Sequence, residues 1–293
     1  MPYAILEISA ESSERVEPLG SKPKFWFRFP RGERRWLFKY ARSGTGEHWA
    51  EKISAEAANL LGVSHADVEL CVIGDRHGSA SPSFVPPGVD LIHGNEILAG
   101  RILGYNAHKK FRQSDHTFSR IVAAFYDIFE GPDRTEALTT LAGYLILDAM
   151  ICNVDRHHEN WGILRSAAAA KKPAMQTIAP TFDHASSLGR ELRDEKRKTL
   201  LAAHRIGEYV SKGSGAIYWK KTDPKGENPL ALCTRAANIH RSYFKPWIDR
   251  VKNIAPAELE VLVSDVPDDW MSPIAKQFAK AILLYTTEEL RKL

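Results

Sequence analysis

Hydrophobic and polar positions alternate over the first forty residues and then change period. "YAILEI" (3–8), "KFWFRF" (24–29) and "RWLFKY" (35–40) are short, rich in aromatic and branched side chains, and separated by turn-forming or charged residues, which predicts strands. Over 47–62, "EHWAEKISAEAANLLG" places Trp49, Ile53, Ala57, Leu60 and Leu61 on a helical stripe, with Gly62 suited to cap it. "ADVELCVIG" (66–74) returns to strand. Residues 75–94 are rich in Pro, Gly and Ser and read as a connector with room for one short strand.

Beyond residue 114 the period becomes helical. "SDHTFSRIVAAFYDIF" (114–129) and "RTEALTTLAGYLILDAMI" (134–151) predict two long helices, with Asp133 a candidate N-cap for the second. "WGILR" and "AMQTIAPTF" follow as a hairpin, and helices are expected near 192–203, 229–240, 243–253 and 272–290. A strand-rich part with one helix, a connector and a large helical part make an α+β, two-lobed architecture, divided at 1–93 and 94–293.

Composition changes this picture little. Forty basic against 36 acidic residues give +4, too mild for a nucleic-acid binder, and direct nucleic-acid contact is not expected. The local basic clusters near Arg28 and Arg190 read as solvated faces. Cys71, Cys152 and Cys233 lie far apart with no CxxC pair, which fits a reducing compartment. No signal-like start and no membrane-length apolar run is visible, so a cytoplasmic protein is expected.

The candidate chemistry closes the second long helix. "NVDRHHEN" sets Asp155 and Asn160 five apart, the interval used in protein-kinase catalytic loops for a proton-accepting Asp and a metal-binding Asn. Such a pair is common by itself, and a helix cap and a turn residue would explain it. Three further features add to it. "IAPTFDHASSLG" puts Asp183 at a strand end, where a second magnesium ligand is expected; it also fits a turn residue. Lys39 lies on a strand among apolar neighbours, where nucleotide phosphates or a snorkelling side chain would satisfy it. "PLGSKPK" supplies a Gly-containing turn suited to covering phosphates with backbone N–H groups. His157 and His158 lack metal-site spacing; one is expected to pack inside and orient the loop.

At these motifs the chain resembles the HipA-type serine/threonine kinases, toxins of bacterial toxin–antitoxin pairs. The resemblance runs from "LGSKPKFWF" through "WLFKY", "AEKISAEAANLLGV" and "NVDRHHEN" to "APTFDHASSLG", while the C-terminal helices match only in general character. It implies a two-lobed protein-kinase-like fold in a short, kinase-core form. It also implies ATP- and Mg2+-dependent phosphorylation of a cytoplasmic protein, by a toxin or a regulatory kinase.

On the family pattern Asp155 is the catalytic aspartate, Asn160 and Asp183 hold magnesium, and Lys39 holds the nucleotide phosphates. Gly20, Ser21, Lys22 and Lys24 belong to the phosphate-covering loop, and Ser83, Phe84 and Val85 to the hinge that meets adenine. The family alignment picks Glu51 as the acidic partner of Lys39, whereas the helical wheel brings Glu56 nearer the apolar stripe. Longer members carry a further N-terminal domain, which an antitoxin-like partner protein would replace here. Their self-phosphorylated serine precedes the loop glycine; Glu17, Pro18 and Leu19 stand there in this chain, leaving Ser21 as the loop's hydroxyl. Aminoacyl-tRNA synthetases are known targets in the family. A small-molecule or lipid phosphotransferase and a catalytically silent kinase-fold binding module remain alternative classes.

Overall fold

The computed structural model describes residues 1–9, 13–16 (backbone only), 23–29, 32, 34–167 and 174–293. Six strands form the first sheet: β1 (Ile5–Glu7), β2 (Ser13–Val16), β3 (Lys24–Arg28), β4 (Arg35–Tyr40), β5 (Glu69–Ile73) and β6 (Arg76–Pro82). Their order is β1-β5-β6-β4-β3-β2, with β1 parallel to β5 and every other pair antiparallel.

Strand alternation gives this sheet two different faces. Phe25, Phe27, Phe38, Cys71, Ile73 and Ala80 form a small aromatic-rich core on one of them. Lys24, Lys39, Ser79 and Leu70 line up in register on the other. Helix α1 (Glu47–Leu61) packs against β5 and β6. It ends at Gly62, whose left-handed φ of 68° lets its N–H reach Ala58 O and Asn59 O.

The stretch expected to be a connector is more regular than its composition suggests. It holds β6, then β7 (Asp90–His93) and the short α2 (Gly94–Ala99). β6 is poor in strand formers, but it lies between β4 and β5 and gains a ladder on both sides. Gly78 is needed there, because a Cβ would come within 2.5 Å of both Lys39 O and the Phe38 ring. β7 joins β8 (Gly162–Ser166) and β9 (Met175–Ile178) in a three-stranded sheet, so the expected hairpin is present and gains a third strand.

The helical part is built around α4 (Gly131–Ile151), which contacts α1, α3 (Phe118–Ile128), α7 (Pro229–Ile239), α8 (Arg241–Asn253) and α10 (Pro273–Arg291). Every residue from Leu141 to Ile151 is buried. Gly143 admits the Trp247 ring, whose Nε1 donates to Thr139 O at 2.6 Å. The N-cap of α4 is Glu130, not Asp133: Pro132 in the first turn presets the helical φ and starts the helix earlier. Asp133 still favours that end through its charge. α5 (Asp194–Ala202) falls where a helix was expected, while α6 (Ile206–Lys212) and α9 (Pro256–Ser264) are short helices that periodicity did not mark. Among the described residues no helix is long and apolar enough to cross a membrane.

Candidate active site

The polar cluster after α4 is organised by one buried acid inside the helix. Asp148 accepts from Arg156 Nε and Nη2 at 2.8 and 2.7 Å, and from Asn153 Nδ2 at 2.8 Å. Arg156 is 5 % exposed. Burial opposes its charge, but Asp148 outweighs that and raises its pKa. The left-handed φ of 58° at Cys152 turns the chain so that the loop folds back over the helix end.

The same arginine shapes the catalytic-loop candidate. Its Nη1 donates to Asn160 O at 2.7 Å, Asn160 Nδ2 donates to Asp155 O at 2.8 Å, and Asp155 N–H donates to Asn153 Oδ1 at 3.1 Å. Asp155 and Asn160 are thus held on one rigid turn. The Asp155 carboxylate is half-buried and accepts from Ser186 Oγ at 3.4 Å.

Asp183 reaches this place from the far side of the β8–β9 hairpin. It adopts φ +60°, a conformation that costs about 1–3 kcal/mol and persists where surroundings over-determine it. The next residue shows what holds it: His184 N–H donates to Glu51 Oε1 at 2.9 Å, and His184 Nε2 pairs with Thr181 Oγ1 at 2.8 Å. Val154 N–H to Ser186 O and Leu188 N–H to Ile151 O stitch the segment to the loop and to α4. Burial, with help from Arg156, keeps His184 neutral by lowering its pKa well below the ordinary value.

Lys39 closes the arrangement, with its Nζ 3.0 Å from Asp183 Oδ1. Burial works against its charge, but Asp183 and then Glu51 outweigh it and raise its pKa above the ordinary lysine value. Lys24 stands directly opposite Lys39 in the β3–β4 ladder, so two cations share one face. Like charges there repel unless anions lie between them. Glu56 is turned elsewhere, with Lys52 Nζ at 2.8 Å. Phe84, from the expected hinge, stacks on Phe182 at 5.5 Å, and Ser83 N–H donates to Arg35 O. Val85 N–H reaches Ser83 Oγ at 3.4 Å. Gly20, Ser21 and Lys22 lie outside the described residues.

Two histidines brace the loop from behind. His158 is buried, as expected for one of the adjacent pair, and takes part in a 2.7 Å bond with Tyr105 OH. His116 was not singled out in the sequence. Trp161 Nε1 donates to its Nε2 at 3.0 Å, so the ring proton sits on Nδ1 and is given to Ala216 O. Burial pushes its pKa down to about 3. Asp148 and Arg156 were also not foreseen. The available signal was an acid inside "LILDAMI", since a carboxylate in a buried helix requires a cation.

Lys39, Glu51, Asp155, Asn160 and Asp183 are therefore connected through short contacts, with Phe84 close by. Residues 17–255 match the HipA-like C-terminal domain, and the chain belongs to that family. The Helicobacter pylori proinflammatory kinase CtkA superposes with a TM-score of 0.77 at 16% identity, covering 99% of this chain and 98% of its own. HipA of Shewanella oneidensis MR-1, from a toxin–antitoxin complex with HipB and operator DNA, gives 0.55 at 15% identity, covering 95% and 67%. The fold is thus the two-lobed, kinase-like α+β fold of HipA-type proteins. A comparison with curated protein sequences finds no significant match.

Proposed function

We propose that this chain is an ATP- and Mg2+-dependent protein serine/threonine kinase of HipA type, acting in the cytoplasm as a toxin or regulatory kinase. The observation that carries the reading is the joining of Lys39 to Asp183 beside a loop that fixes Asp155 and Asn160. Residues 1–93 would form the nucleotide-covering lobe and 94–293 the lobe bearing the catalytic loop.

In this reading Asp155 accepts the proton of the substrate hydroxyl; Ser186 Oγ already approaches that carboxylate as a hydroxyl would. Lys39, with Lys24 beside it, holds phosphate oxygens, and Glu51 acts by positioning the Asp183 segment. Magnesium takes one or two protein carboxylates beside substrate phosphates, and the pair Asn160 and Asp183 fits that donor set. With its amide nitrogen on Asp155 O, Asn160 would use its side-chain oxygen as the metal donor. Bound magnesium would neutralise charge on the phosphate oxygens. Phe84 and Phe182 offer a flat apolar surface to adenine. Gly20–Lys24 would cover the phosphates, with Ser21 the hydroxyl open to self-phosphorylation.

The substrate is proposed to be a cytoplasmic protein, with aminoacyl-tRNA synthetases the first to assay. An antitoxin-like partner is supported by the complex of Shewanella HipA with HipB. The test is incubation with labelled ATP and magnesium, alone and with lysate. Labelled protein bands are expected from the wild type and none from Asp155→Ala, whose ATP affinity should stay within a few-fold because the Asp acts on the hydroxyl. Full activity in the variant would remove the assignment, and label on small molecules alone would favour the phosphotransferase class.

A further inference from the structure

The segment that leaves Asp183 continues as "HASSLGRE" (184–191), in which two adjacent serines precede a cation. The serines face different neighbours. Ser187 is buried; its Oγ donates to His184 O at 2.8 Å and meets Ser54 Oγ of α1 at 3.0 Å. Ser186 is half-buried, and its Oγ donates to Asp155 Oδ2 at 3.4 Å. Leu188 and Gly189 then take left-handed φ values of 55° and 70°. The turn closes with Arg190 N–H donating to Ser187 O at 3.1 Å, and the Arg190 side chain returns to Ser186.

Arg190 engages both of its terminal nitrogens. Nη2 donates to Ser186 Oγ at 3.3 Å, and Nη1 lies 3.1 Å from Glu47 Oε1. Glu47 opens α1, where the helix dipole favours an acid, and it is 3 % exposed. It also accepts from Arg42 N–H at 3.0 Å and from Arg42 Nη1 at 3.2 Å, just past the end of β4. Gly46 N–H donates to Arg190 O at 2.9 Å. One run of contacts therefore leads from the end of the Lys39 strand through Glu47, Arg190 and Ser186 to Asp155. A hydroxyl accepts and donates at once, so Ser186 takes a bond from Arg190 while giving one to the carboxylate. A buried ion pair between α1 and this segment would by itself explain Glu47 and Arg190. It does not explain why the second nitrogen meets the one serine whose hydroxyl reaches Asp155.

We propose that Ser186 and Arg190 are positioning residues: Arg190 anchors the Ser186 hydroxyl, and Ser186 holds the Asp155 carboxylate in the orientation that accepts the substrate proton. This inference rests on the kinase reading above, in which Asp155 is the base. With Oδ2 tied to Ser186, the carboxylate is restrained from turning about its Cβ–Cγ bond. A base that turns freely meets the hydroxyl in a reactive orientation only part of the time. Neither residue has a part in holding the nucleotide, so turnover should change and nucleotide affinity should not.

The full chain would be given labelled ATP and magnesium, with casein and myelin basic protein as acceptors. Initial rates give kcat and KM, and calorimetry and thermal melts give ATP affinity and Tm. Ser186→Ala should lower kcat about 10- to 100-fold, the scale of a misplaced catalytic group, with KM and affinity for ATP unchanged. Ser186→Thr, which restores a hydroxyl, should recover most of the loss. Arg190→Lys keeps a cation beside Glu47 but has one nitrogen for two partners. It should keep its Tm and lose kcat as Ser186→Ala does. The double variant Ser186→Ala, Arg190→Lys should lose no more than either alone, because the two residues act in series. Losses that multiply would overturn the relay, since Arg190 would then act by another route. Wild-type kcat in either single variant, or no recovery in Ser186→Thr, would overturn the positioning role and leave the kinase reading standing. ATP binding by the wild type without transfer to either acceptor or to the chain itself would remove the kinase reading, and this inference with it.

Discussion

Lys39 Nζ lies 3.0 Å from Asp183 Oδ1, joining strand β4 to the segment after β9. The two residues are 144 positions apart, and both are partly buried. Neither charge is isolated: Glu51 adds to the field at Lys39, and His184 fixes the backbone beside Asp183. In the proposed function Lys39 turns to the phosphates and Asp183 to magnesium, so the pair defines where the nucleotide binds.

Lys39→Ala is expected to lower kcat by about 10²-fold or more, the scale of removing one preorganised electrostatic group. Lys39→Arg should not restore it, because a planar guanidinium cannot replace a compact ammonium at a point-charge contact. Asp183→Ala should instead weaken magnesium-dependent ATP binding. Steady-state kinetics and calorimetry separate the two effects; wild-type turnover in the arginine variant would make Lys39 an ordinary strand residue.

The Asp148–Arg156 pair should matter to stability before it matters to chemistry. Asp148→Ala leaves a guanidinium buried without its counter-ion, which costs about 3–5 kcal/mol. The double variant Asp148→Leu, Arg156→Met should recover much of that loss in denaturant melts. It should not recover phosphoryl transfer, because Arg156 Nη1 also holds Asn160 O. Recovery of both would show that the loop keeps its shape without the arginine.

Acid should destabilise the fold before its carboxylates titrate. Burial pushes His48 down to about 4 and His116 down to about 3, from 6.5. His158 is shifted the same way, to about 4. Between those values and 6.5 the unfolded chain binds protons that the folded chain excludes. Stability is therefore intact above about pH 6.5 and falls as pH drops, by up to about 1.4 kcal/mol per pH unit for each of His48 and His116. Denaturant midpoints at pH 7.5 and 5 check this, and equal midpoints would mean that these rings are protonated in the fold.

Gly78→Ala tests the seating of the lysine strand. Its Cβ would meet Lys39 O and the Phe38 ring at 2.5 Å, so β4 or β6 must shift. A loss of about 1–3 kcal/mol is expected for overpacking, with a raised KM for ATP. Thermal melts and kinetics measure both, and an unchanged KM would separate the strand's position from nucleotide binding.

Local pattern carried much of this molecule. The stripe of α1, its Gly62 cap and the strands around Phe25 and Phe38 follow from short-range periodicity and turn chemistry. Asp155 and Asn160 were legible because five covalent steps on one loop allow few separations, whatever the rest of the chain does. Asp183 and Lys39 could be singled out by residue type and neighbours.

Which of them meet was not a local matter. Glu51 and Glu56 differ by five positions on one helix; the first turns to His184 and the second to Lys52 because of what packs on each side. β6 becomes a strand through ladders on both edges, not through its own small polar residues. Asp148, Arg156 and His116 acquire their roles only when burial removes water, since an acid, a guanidinium or an imidazole has no need of a fixed partner while solvated. Desolvation and long-range strand pairing depend on the whole chain, so the tertiary structure alone selected the contacts that make separate motifs into one site.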